Sequence, residues 1–350
     1  MDTWQEILQN SITSPAALNR HVACDTTALA EVIANFPMRI NPYFLQLLVA
    51  PGDPLWRQVV PDRQELLTGP CLADPLDEEN LSPVANLVHK YPDRVLFLVS
   101  ARCAVYCRFC TRKRKVGTDR LQVTAETLEA GFTYIEEHPE IREVLLSGGD
   151  PLLLPDEQIE ALLERLKQIP SVEIVRIGSR IPCSLPMRVT PQLAALLKKY
   201  HPLYINTHFN HPREITAEAA RACALLADAG IPLASQTVLL KGINDNPVTL
   251  RALFRALLRI RVKPYYLFQA DLTRGTDHFR TRTETGIELM RALYGHISGM
   301  AIPTFALDAP GGKGKVPLTP NYLISGGKQL IFKNFHGETC TYPETGEACS

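Results

Sequence analysis

Residues 95–113 read VLFLVSARCAVYCRFCTRK. The first six form an apolar run closed by Ser100, the pattern of a strand buried on both faces of a parallel sheet. The rest places Cys103, Cys107 and Cys110 at C-x3-C-x2-C spacing, with Arg112 and Lys113 close behind. A loop loaded with reactive side chains directly after a buried strand is the arrangement of α/β barrels, whose chemistry gathers at the C-terminal ends of the strands.

Working outward, similar runs recur as EVLLSG (143–148), EIVRIGS (173–179), LYINTHF (203–209), LASQTVLL (233–240) and PYYLFQ (264–269), followed by IPTFALD (302–308). Helical patterns lie between them. PDEQIEALLERLKQI puts Ile159, Leu162, Leu163 and Leu166 on one stripe behind Pro155, Thr190-Pro191 opens another helix, and Thr216 to Gly230 carries an N-cap and a C′ glycine. Six βα units in series predict a parallel sheet with right-handed crossovers. That is short of a full barrel, so the expected fold is α/β, an open partial (β/α)6 TIM-like barrel over residues 91–300. Residues 1–90 read as a mainly helical N-terminal arm, with Asn41-Pro42 as N-cap and N1 of one helix and many prolines after it. Residues 301–350 form a short C-terminal extension.

The chain has 350 residues, 45% of them hydrophobic, and 37 basic side chains against 37 acidic ones. It can bury a large core, and its charge balance argues against a nucleic-acid partner and for a small-molecule one. MDTWQEILQNSITS lacks the basic and apolar regions of a leader, and no run approaches the roughly 18 apolar residues of a membrane span. A cytoplasmic enzyme that makes no use of a membrane is expected. Nine cysteines, an odd number, argue against a disulfide framework. Cys24, Cys71, Cys183 and Cys223 are expected as small buried hydrophobes, while Cys340 and Cys349 sit in a polar tail.

Zinc would call for a fourth Cys or His at ligand spacing, and none closely follows Cys110, so a zinc site would need a distant ligand. Three thiolates suit a 4Fe-4S cluster with one iron left for a non-protein ligand. The motif, with Phe109 before its last cysteine and a place after the first barrel strand, resembles the radical S-adenosylmethionine enzymes. That resemblance implies S-adenosylmethionine on the open iron, an external electron donor, and Gly148, Gly149 and Asp150 of SGGDP beside the methionine amino group.

The likeness narrows further. HKYPDRVLFLVSARCAVYCRFCTRK, SGGDPLLL, LASQTVLLKGIND, KPYYLFQADL and FALDAPGGKGKVPLTPNY, spread over residues 85–335, together resemble the lysine 2,3-aminomutase family. Membership implies pyridoxal 5′-phosphate held as a Schiff base by a lysine of DAPGGKGKVP. Two candidates stand there, and the family's spacing points to Lys315 rather than Lys313. It also implies Lys90 and Arg94 at the cofactor phosphate, with Lys90 where the family has arginine. Arg112 falls to the substrate carboxylate, Asp271 and Asp308 to the distal ammonium of L-lysine, and His208 and Gln236 to one of the cofactors. The implied reaction is radical conversion of L-α-lysine to β-lysine through a cofactor imine; an aminomutase acting on arginine or another amino acid is the alternative. Longer members bind structural zinc through a C-terminal cysteine cluster and a cysteine after the fifth strand. Here Asn246 holds that last position, so no such zinc is expected, and the homo-oligomer is expected to differ accordingly. Shorter members make β-lysine for attachment to elongation factor P, and the sequence leaves the pathway open.

Overall fold

The computed structural model describes residues 3–67 and 69–344; Cys349 lies outside the described residues. One sheet of nine strands runs in chain order: β1 (Leu87–Tyr91), β2 (Arg94–Ser100), β3 (Glu143–Gly148), β4 (Ile174–Gly178), β5 (Leu203–Thr207), β6 (Leu233–Leu239), β7 (Val262–Gln269), β8 (Thr304–Ala309) and β9 (Gly314–Pro317). Strands β2 to β8 are parallel. Helices Ala125–Glu137, Asp156–Lys167, Pro191–Leu197, Ala217–Asp228, Pro247–Arg259 and Thr283–Leu293 link them, giving the six expected βα units and a further parallel strand. Thr124, Thr190, Thr216 and Asn246 each accept the N–H of the third helical residue, which sets where these helices begin. Asn246 therefore has a structural duty of its own.

The sheet does not close. Its ends are antiparallel additions, β1 on β2 and β9 on β8. Strand β1 straddles the boundary expected at 90, and β8 and β9, both beyond 300, extend the same sheet. The N-terminal arm supplies helices Trp4–Gln9, Pro15–Asn19, Thr26–Ile33, Pro42–Leu45 and Trp56–Val59. Its Leu18, Phe44, Leu55 and Val59 are wholly buried in the same apolar core as Phe97, Leu146, Ile177, Ile205 and Phe305. The arm is thus packed into the barrel. A second sheet follows, β10 (Leu323–Ser325), β11 (Gln329–Lys333) and β12 (Thr339–Pro343), where a polar tail was expected. Cys340 lies half-exposed on β12; Cys183 and Cys223 are buried as expected, whereas Cys24 and Cys71 are only partly covered.

Candidate active site

The C-terminal ends of the strands enclose a cavity of about 410 Å³. Cys103, Cys107, Phe109, Cys110 and Arg112 line it from the loop after β2, Gly148, Gly149 and Asp150 from the loop after β3, and His208 and Gln236 from β5 and β6. Lys90 and Arg94 enter from β1 and β2, Asp271 from the loop after β7, Asp308 from β8 and Lys315 from β9. Every site residue expected from the sequence faces this one space. Lys313 does not; it is exposed outside it.

The thiol end is held by buried charge. Arg108, within the cysteine motif, donates from Nε to Glu65 Oε1 at 2.9 Å and from Nη2 to Oε2 at 2.5 Å, and Lys113 Nζ adds a bond to Oε2 at 2.8 Å. Arg108 also donates to the carbonyls of Phe36 and Pro37. Burial pulls the Lys113 ammonium down to about 8 against the opposing effect of Glu65. This triad pins the cysteine loop to the arm.

A second charge stands at the sulfur. Arg180, just beyond β4, donates from Nη1 to Cys107 Sγ at 2.7 Å and from Nη2 to Glu214 Oε1 at 2.8 Å and Gln58 Oε1 at 2.6 Å. Its guanidinium lies 5.2 Å from the centre of the Phe109 ring. Burial pushes the Cys110 thiol up to about 11 against the opposing effect of Arg112 and Lys113, and pushes the Cys103 thiol well up against that of Arg39. Such thiols ionise when a metal takes the proton's place.

SGGDP lines the cavity and also packs against the start of the cysteine loop. A Cβ at Gly148 would overlap the carbonyl oxygen of Ser100, and one at Gly149 the backbone of Arg102. Gly149 N donates to Ser100 O at 2.5 Å and Asp150 N to Arg102 O at 2.7 Å. The glycines therefore let the two loops run against each other, which fixes the start of the cysteine motif. Asp150 takes bonds from Ser179 Oγ at 2.6 Å, Arg180 N at 2.8 Å and Leu152 N at 3.1 Å. It ties the loops after β3 and β4 together, and burial raises its carboxyl to about 6.

The opposite end is built from opposed ionic side chains. Asp308 and Lys315 face each other across the β8–β9 hairpin, so their side chains share a face. Lys315 Nζ lies 3.2 Å from Asp308 Oδ2, and Lys90 Nζ 3.3 Å from its Oδ1. Asp271 is pushed up to about 7, first by burial and then by Asp308, with Lys315 and Lys90 opposing. The backbone N–H of Lys315 adds a second tether, donating to Tyr91 Oη at 3.0 Å. Arg112 is bound at one edge, Nε to Glu78 Oε2 at 3.0 Å and Nη2 to Oε1 at 2.5 Å. Its remaining N–H groups, on Nη1 and Nη2, can still take a carboxylate.

The donor sets fit the groups the resemblance implies. Three cavity-facing thiols on one loop leave the fourth position of a cluster to an outside ligand. Among the described residues no three His, Cys, Asp or Glu side chains converge on a single metal ion, and a cuboidal cluster, whose irons take one thiolate each, does not need them to. Thr207 Oγ1 and His208 Nε2 line the cavity and are buried without a hydrogen-bond partner, as donors and acceptors awaiting a polar ligand would be. His208 stacks on Phe109 at 5.3 Å, and burial drops its imidazole to about 3, so it faces the cavity neutral. Lys90, Arg94 and Lys315 supply the cations an aldehyde carrying a phosphate requires.

Arg180, Glu78, Thr207 and Tyr91 were missed by sequence reasoning. Arg180 alone left a signal, a charged residue directly after the apolar run EIVRIGS at a strand's C-terminal end.

Two family models match the chain, the radical SAM superfamily over residues 97–253 and lysine-2,3-aminomutase over 290–350. The chain is 47% identical to the L-lysine 2,3-aminomutase of Clostridium subterminale, over 97% of this chain and 84% of that one. It is 44% identical to that of Methanococcus maripaludis, over 99% and 83%. The glutamate 2,3-aminomutase of Clostridioides difficile is 43% identical over 94% and 78%.

Proposed function

The chain belongs to the lysine 2,3-aminomutase family and is an isomerase of the radical SAM superfamily, and on that premise we propose that it converts L-α-lysine to β-lysine. The observation that carries the choice of substrate is the pair Asp271 and Asp308 in one wall of the cavity, opposite the thiol loop. Held by the three thiolates, a cluster with S-adenosylmethionine would supply a hydrogen-abstracting radical, and pyridoxal phosphate at Lys315 would supply a conjugated ring and aldehyde that can take up the substrate amine.

This chain's own side chains do the rest. Lys315 would have to leave its contact with Asp308 to engage an aldehyde, and Lys90 also pairs with that carboxylate. Arg112, braced by Glu78, presents its free edge to the substrate carboxylate. Asp271 and Asp308 then meet the distal ammonium; a unit pair at 4 Å and an effective dielectric of 20 is worth about 4 kcal/mol before desolvation. A glutamate side chain would bring a third carboxylate to that wall, so the acidic pair disfavours the reaction named for the C. difficile relative. Phe109, His208 and the walls of β5 and β6 keep the reacting space dry and oriented.

The test is an anaerobic assay. The protein is reconstituted with iron, sulfide and pyridoxal phosphate, then given S-adenosylmethionine, dithionite and L-lysine, and 3,6-diaminohexanoate is sought by NMR. Product that vanishes in Cys107→Ala and Lys315→Ala supports the reading. Cleavage of S-adenosylmethionine with lysine unchanged, and turnover of arginine instead, would sink the substrate assignment alone.

A further inference from the structure

Cys107 differs from the other two cysteines of its motif: of the three sulfurs, it is the one that accepts a hydrogen bond from a cationic side chain. The donor, Arg180, is 9% exposed. It cannot drift, because its backbone N–H is bonded to Asp150 Oδ2 at 2.8 Å and its Nη2 to Gln58 and Glu214. Glu214 is wholly buried. Its second oxygen accepts the N–H groups of Asn210 at 2.6 Å and His211 at 3.0 Å. The result is a rigid row of thiolate, guanidinium and carboxylate, reaching from the cysteine loop to the loop after β5.

Hydrogen bonds and charge at cluster sulfurs set reduction potential. Reduction adds one negative charge to a site that already carries three thiolates. A guanidinium donating to one of those sulfurs stabilises the reduced form more than the oxidised form, and a carboxylate behind it counteracts part of that effect. We propose that Arg180 is a positioning residue that raises the reduction potential of the cluster through Cys107, and that Glu214 trims the effect. This rests on the cluster-binding reading above, and it concerns how readily an external donor can reduce the enzyme, not which substrate follows.

The experiment is a redox titration of the reconstituted full-length protein followed by electron paramagnetic resonance. One electron from dithionite takes the 2+ cluster to 1+, with no bond made or broken. Wild type is compared with Glu214→Gln, Arg180→Lys and the charge-neutral pair Arg180→Gln/Glu214→Gln, each with its iron and sulfide content measured. The midpoint is expected to shift upward in Glu214→Gln, where the full guanidinium charge acts on the sulfur, and downward in the double variant, where it is gone. Arg180→Lys, with charge but a less directed donor, falls between wild type and the double variant. Midpoints unchanged in variants with full iron content would reduce Arg180 to a structural tie and overturn the proposal. If the double variant takes up no iron, Glu214→Gln decides alone, and an unchanged or lower midpoint there is equally fatal. Wild type that binds no cluster would instead overturn the cluster reading itself.

Discussion

The two ends of the cavity are charged in different ways. At the thiol end each ionic group is locked: Glu65 is shared by Arg108 and Lys113, Arg180 by three partners, Asp150 by three donors. At the lysine end one carboxylate, Asp308, is shared between two lysines, and one of them sits on a short edge strand that is largely exposed. The first arrangement is over-determined and suits a site that must keep three sulfurs in register. The second has an exchangeable partner, as the role proposed for Lys315 requires.

Breaking the locked end should cost most. Glu65→Ala leaves Arg108 and Lys113 buried without their carboxylate, and the expected loss is about 3–5 kcal/mol, read as a lower midpoint in urea unfolding. Gly149→Ala comes next: its Cβ must push the Arg102 backbone away, at about 1–3 kcal/mol, and iron uptake per chain should fall with it. A Gly149→Ala protein that unfolds and loads iron like wild type would show that the two loops are not stitched as described.

The exchangeable end is sharpened by pH. With its carboxyl near 7, Asp271 is mostly protonated at pH 6 and mostly ionised at pH 8. Ionisation favours an ammonium ligand, so KM for lysine should fall roughly tenfold across that interval, and Asp271→Asn should flatten the profile. A wild-type KM that rises with pH would contradict the sign. Smallest in stability is Lys315→Ala, within about 0.5 kcal/mol of wild type, because the side chain is about a third exposed and Lys90 still pairs with Asp308. The same variant should lose the visible absorbance of bound pyridoxal phosphate.

The barrel was legible because buried parallel strands read as unbroken apolar runs, and VLFLVS and its repeats leave few alternatives. The edge strands were not. Leu87–Tyr91 is apolar only in its first two residues, and Gly314–Pro317 follows Gly311 and Gly312 and itself begins with a third glycine at positive φ, so both read as connections. The thiols, the acidic pair and the terminal lysines stood out as residue types in quoted motifs. Glu78 and Arg180 did not, since what makes them functional is a partner 34 or 73 residues away, a relation that no local pattern carries. The glycines of SGGDP line the cavity as expected, and they also make room for the backbone of Ser100 and Arg102, a neighbour that the motif alone does not announce.

The unclosed sheet has a mechanical meaning. Strand β1 meets the β8–β9 hairpin through Lys315 N donating to Tyr91 Oη and through Lys90 on Asp308, not through a ladder of main-chain bonds. A ladder fixes the girth of a barrel, because widening it would rupture a whole row of hydrogen bonds. Here the circumference is buttoned by side chains, which can turn about their own bonds. The lysine end can therefore adjust its bore to a flat ring while the sulfur end keeps its calibre.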